Sequence, residues 1–155
     1  MLLGVPAALV IAVSGQRTAV LLPDPSRMAV YDANGGQVGS YPVGVAPPDD
    51  TLPAVADTTT TGSAVYWFTG SSTIALDPGE FRPRWTADGT LGSGLPFAGR
   101  LLVPAPGELI VLDPASGARL GAFPVDRGGY QGPVRLAAAG PVVLEQRGAR
   151  LVALR

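Results

Sequence analysis

The side chains that most often carry catalysis are missing from this chain, and what remains is carboxylate, guanidinium and hydroxyl chemistry. Histidine and cysteine are absent, and all 11 basic residues are arginine. There is therefore no thiol nucleophile, no hydroxyl paired with an imidazole or lysine base, and no imidazole or thiolate metal ligand. Neither a phosphate-cradling G-x-x-x-x-G-K-[ST] loop nor a G-x-G-x-x-G turn opening a helix occurs. The densest oxygen cluster is Asp49 and Asp50, just after Pro47-Pro48, with Asp57 a little further on. It could meet a metal ion or a cationic partner, and it also reads as a solvated turn charged for solubility. A second place to look is DRGGYQG (126–132), where glycines flank Arg127, Tyr130 and Gln131. Arg and Tyr are enriched in binding hot spots; the alternative is a turn with one packed tyrosine. Asp32, Asp77 and Asp113 open the turns DANGG, DPGEF and DPASG. A carboxylate there accepts backbone N–H groups two residues on, Pro presets φ and Gly supplies positive φ. Calcium ligation is the other reading of these three.

Positioning such groups falls to strands. The 155 residues suffice for one domain with a sizeable core. Hydrophobic residues make up 46% and charged residues 15%, and the 21 Gly and 16 Pro fall between short apolar runs. That punctuation reads as many strands and many turns. The net charge of −1 comes from singly scattered residues. A nucleic-acid partner is not expected, because binding one needs a basic stripe. Residues 2–13 (LLGVPAALVIAV) read as a buried strand, with a signal segment as the alternative, and are too short to span a bilayer as a helix. Membrane association is expected only through parts outside this chain.

The runs repeat. TAVLLPDPSRMAVYDANGGQVGSYPV (18–43), AVYWFTGSSTIALDPGEFRPRWTA (64–87), RLLVPAPGELIVLDPASGARLGAFPV (100–125) and PVVLEQRGARLVALR (141–155) align. Asp32, Asp77 and Asp113, with Arg155 at the equivalent place, are 45, 36 and 42 residues apart. Pro6, Pro53, Pro96 and Pro133 each lead into a further first strand. About 40–50 residues per four-stranded unit is the period of propeller blades. Strands such as Leu109–Leu112 and Ala64–Phe68 are apolar at consecutive positions, so both faces need cover, which stacked sheets supply. The last strand of a unit carries one aromatic (Tyr41, Trp85, Phe123) and a proline (Pro42, Pro83, Pro124), and proline belongs on sheet edges. The expected fold is all-β: about four β-propeller blades at 5–43, 53–87, 95–125 and 133–155, fifteen strands in total. The last blade lacks its outer strand, making an open or partial propeller. Trp67 and Trp85 read as packing residues, and Thr58–Thr61 as a first strand or its loop.

GELIVLDPASGARLGAF (107–123), with STIALDPGEFRPRW (72–85) and RMAVYDANGGQVGSY (27–41) as weaker copies, resembles the PQQ-like (quinoprotein-type) β-propeller repeat. The resemblance covers nearly the whole chain. It implies a bacterial propeller, and its relatives include dehydrogenases, envelope assembly factors and plain binding scaffolds. Catalytic members would bring a quinone cofactor, calcium and a stacked pair of cysteines. No residue here matches those cysteines, and Asn34, the sole asparagine, lies in a turn. The expectation is thus a non-catalytic scaffold for a protein or peptide partner, in a cell envelope, with no cofactor and no metal. The alternative is part or remnant of a PQQ- and calcium-dependent quinoprotein dehydrogenase. Completion by missing blades, or by a second copy in a homodimer, is expected to supply the absent outer strand.

Overall fold

Short apolar runs cut by Gly and Pro fold into antiparallel hairpins, each too small to bury both of its faces alone. The computed structural model describes residues 9–22, 26–43, 55–56 and 64–154. Among these there are fifteen strands and no helix. The first sheet is β1 (Leu9–Ser14), β2 (Arg17–Leu22), β3 (Arg27–Tyr31) and β4 (Gln37–Pro42). The second is β5 (Val55–Ala56), β6 (Val65–Phe68), β7 (Ser72–Leu76) and β8 (Pro83–Asp88). The third is β9 (Leu95–Phe97), β10 (Arg100–Ala105), β11 (Glu108–Leu112) and β12 (Arg119–Pro124). The fourth has three strands among the described residues, β13 (Val134–Ala139), β14 (Val142–Arg147) and β15 (Arg150–Leu154). Each sheet is an antiparallel meander in chain order. This is the architecture of partial propeller blades.

The doubly apolar strands do what their pattern requires. On β6, Val65 and Trp67 enter a cluster with Ala19, Leu21, Met28 and Val30 of blade 1. Tyr66, with Ala64 just before the strand, enters the next cluster, with Leu101, Val103 and Leu112 of blade 3. Blade 3 repeats the division: Leu102 and Leu109 join Val134, Leu136 and Val143 of blade 4. Period 2 along one strand thus serves two interfaces at once.

Each outer strand enters through a bulge. The register shifts between Val30 and Tyr31, between Ala75 and Leu76, and between Val111 and Leu112. The extra residues on the outer strands are Val38, Arg84 and Leu120. A bulged residue leaves the alternation, which accounts for Val38 at 49% and Leu120 at 52% exposure.

Two of the three outer aromatics seal joints between blades. Tyr41 packs on the cluster containing Phe81, a fully buried residue that takes φ +55° in the second Asp-led turn. Trp85 donates its indole N–H to the Pro114 carbonyl at 3.1 Å and lies on Gly117, which has φ +71°. A Cβ on Gly117 would meet the indole at 2.6 Å. Gly117→Ala is therefore expected to cost on the order of 2 kcal/mol, from left-handed backbone strain and overpacking together. Urea melts check this; a change no larger than that of a surface substitution would mean that Trp85 does not rest there. Phe123, the third aromatic, stays 60% exposed.

Candidate partner-binding surface

The three Asp-led turns lie at one end of the blades, where third strands pass into outer strands. Asp32 Oδ1 accepts the N–H groups of Asn34 and Gly36, both at 2.9 Å. Asp77 Oδ1 accepts those of Gly79 and Glu80 at 2.9 and 3.0 Å. Asp113 Oδ1 accepts those of Ala115 and Ser116 at 2.9 Å, and the Ser116 hydroxyl at 3.1 Å. These oxygens are engaged in holding the turns. Among the described residues no three carboxylate side chains gather closely enough to hold a metal ion.

The Ser116 backbone N–H, and then its hydroxyl, hold the Asp113 carboxyl below the usual carboxylate range. The Glu80 N–H, and then the Arg84 guanidinium, do the same for Asp77. A folded-state pKa below the unfolded one gives stability that is present above the unfolded value and lost as pH falls through the folded value. Asp113→Asn keeps the acceptor oxygen and removes the charge. It should be less stable than the parent at neutral pH, with the gap closing below about pH 4. Urea midpoints measured from neutral to acid pH check it; a gap constant with pH would contradict the assignment.

The loop joining blade 3 to blade 4 lies at the opposite end. Its Arg127, read from the sequence as a binding side chain, turns inward and is only 3% exposed. Arg127 Nε and Nη2 donate to the two oxygens of the fully buried Glu145, at 3.1 and 2.5 Å. Its Nη1 donates to the carbonyls of Ala105 at 2.5 Å and Glu108 at 3.1 Å. Arg147 adds a bond from Nε to Glu145 at 2.8 Å and one from Nη1 to the Asp126 carbonyl at 3.2 Å. The reason for burial is the partner: Glu145 sits in β14 opposite Leu136 and Val152. A carboxylate there needs cations and donors at close range. Glu145 was missed by the sequence reading, although one acid inside the apolar run VVLEQR was the available signal.

Above this lock the loop is displayed. Gln131 is exposed, and Tyr130 is half-buried on the blade 3–blade 4 core with its hydroxyl donating to the Pro133 carbonyl at 2.9 Å. Tyr130, Arg135, Gln146 and Gly148 line a notch of about 240 Å³. The notch offers hydrogen-bond donors and acceptors from the Arg135 guanidinium and the Gln146 amide. Asp49, Asp50, Asp57 and Thr58–Thr61 lie outside the described residues.

A larger apolar groove of about 690 Å³ opens between β12 and β15, lined among others by Phe97, Leu109, Phe123, Val152 and Leu154.

Among solved structures the chain is similar to BamB from Moraxella catarrhalis, with a TM-score of 0.62 at 17% sequence identity. The match takes in 94% of this chain and 46% of that one. The fold is a β-propeller fold. The chain spans about half the length of the propeller it matches. No family model matches the chain, and no curated protein matches it.

Proposed function

We propose that this chain is part of a non-catalytic propeller scaffold of a bacterial cell envelope, and that it holds a protein or peptide partner against the loop carrying Tyr130 and Gln131. The supporting observation is the buried Arg127–Glu145–Arg147 lock beneath that loop. It joins the β10–β11 turn, the linker and β14 into one base. A loop fixed on rigid elements presents its polar groups with little ordering cost on binding. The notch beside it, rich in amide and guanidinium groups, suits a peptide backbone better than a small apolar ligand. The envelope setting follows the sequence resemblance to PQQ-like repeats, and the likeness to BamB agrees with the fold that reading requires.

The experiment is photo-crosslinking in the cells that make the protein, with the reactive residue at position 131 and, as a control, at position 115 in the Asp113 turn. Position 131 should give one discrete polypeptide adduct in the envelope fraction, and position 115 should not. Adducts at neither position, or the same adducts at both, would overturn the loop as the partner surface.

A further inference from the structure

The turn between β3 and β4 differs from its two counterparts. It spans five residues, 32–36, whereas the turns that enter β8 and β12 span six, 77–82 and 113–118. Ala33 follows its Asp, where the other turns have Pro78 and Pro114 to fix φ. In the longer turns the N–H three places after the Asp, of Glu80 and of Ser116, is held by the carboxylate. In the short turn that N–H belongs to Gly35 and donates to the Asp32 carbonyl at 3.0 Å, while the carboxylate reaches on to Gly36. The residue before Gly35 is Asn34, the sole asparagine of the chain. Both are exposed, and a Cβ on Gly35 would meet nothing within 4 Å.

We propose that Asn34 is a site of spontaneous covalent modification, converted through a cyclic imide to isoaspartate and aspartate, and that Asp32 sets the rate. The Gly35 nitrogen, having lost its proton to hydroxide, attacks the side-chain carbonyl carbon of Asn34. The new C–N bond closes the imide ring, the bond to the amide nitrogen breaks, and ammonia leaves with a proton taken from water. A second water opens the ring. Opening at the former main-chain carbonyl leaves isoaspartate, and opening at the other leaves aspartate. Glycine favours the first step because it has no side chain to crowd the attacking nitrogen. The native turn restrains that step, since the proton to be removed is the one donated to the Asp32 carbonyl. The turn must open first, and Asp32 resists opening through its bonds to the N–H groups of Asn34 and Gly36. Isoaspartate places its extra methylene between those same two groups, so Asp32 Oδ1 no longer holds both at 2.9 Å. The start of β4, where Gln37 pairs with Tyr31, then loses its anchor. This site lies at the end of the blades away from Tyr130 and Gln131 and needs nothing from that loop.

The test ages the 155-residue chain in mildly alkaline buffer. Isoaspartate is read by transfer of a labelled methyl group with an isoaspartyl methyltransferase, and mass spectrometry of peptides assigns the label to a position. The folded chain should gain label slowly at residue 34, and the same chain unfolded in urea should gain it at least about tenfold faster. Asp32→Ala, with an unchanged circular dichroism spectrum, should gain it about tenfold faster than the folded parent. Asp32→Ser, whose hydroxyl holds such a turn more weakly than a carboxylate, should fall between the two. Asn34→Gln should gain none at this position. As the modified fraction grows, amide protection should fall in β3 and β4 and persist in β10 and β11. The comparison in urea needs no variant, so a folding defect in Asp32→Ala does not remove the test. No label at residue 34 in either the folded or the unfolded chain overturns the proposal. Equal rates in the folded and unfolded chains, or in the parent and the folded Asp32→Ala chain, overturn it as well. The crosslink at position 131 reads the other end of the blades, so the two proposals fail separately.

Discussion

Arg127→Ala will lower stability by about 3–5 kcal/mol. The substitution leaves Glu145 fully buried with Arg147 as its remaining partner. It also withdraws the donor from the carbonyls of Ala105 and Glu108. A buried charge that loses one of its two cationic partners is the expensive outcome, more so than the absence of the whole group. The triple variant Arg127→Met, Glu145→Leu and Arg147→Met, which removes every buried charge of the lock, should therefore recover much of the loss. The effect should also be local. Stacked repeats couple chiefly to their neighbours, so amide protection should fall in β13–β15 while β6 and β7 keep theirs. Urea unfolding with hydrogen exchange checks both parts. A stability change under about 1 kcal/mol would show that the lock holds no strained charge in place.

Trp67→Ala is the second large expectation, at about 3–5 kcal/mol. Trp67 is fully buried between blades 1 and 2, among Met28, Val30, Ile74, Leu76 and Phe81. Its indole N–H has no hydrogen-bond partner among the described residues. Truncation therefore breaks no bond seen there, and its cost is lost apolar burial plus the cavity left behind. Trp67→Phe fills most of that volume and removes the orphaned donor, so it should be much milder than the alanine variant. The exchange pattern should mirror that of Arg127→Ala: protection falls in β1–β4 and persists in β13–β15. Equal loss from Phe and Ala at this position would contradict the packing account, and uniform loss along the chain would contradict the nearest-neighbour coupling.

Much of the fold was legible because its causes are local. Consecutive apolar residues in Leu109–Leu112 require cover on both sides, and the structure divides them between two neighbouring blades. Asp32, Asp77 and Asp113 open their turns through bonds that reach no more than four residues ahead. The candidate surface was legible only in outline. DRGGYQG stands out as a glycine-flanked loop, yet Arg127 goes inward while Gln131, four residues on, stays out. Arg135, Gln146 and Gly148, which complete the notch, come from two strands and a hairpin turn of the next sheet and carry no pattern along the chain.

By itself, then, the sequence determined the strand pattern, the turn chemistry and the need to stack sheets, since each follows from backbone preference and side-chain period within a few residues. Only the tertiary structure decided which of several like residues was buried. Arg127 and Arg100 are the same side chain, but Arg127 meets Glu145 eighteen positions away and carbonyls near the β10–β11 turn, while Arg100 lies exposed at the groove. Tyr41, Trp85 and Phe123 are the same kind of residue at the same place in three blades. The first two are packed, each against the turn of the next blade, and the third is 60% exposed. Burial of a charge or a ring is a free energy of non-local partners, so it is settled where the blades meet and not along any one strand.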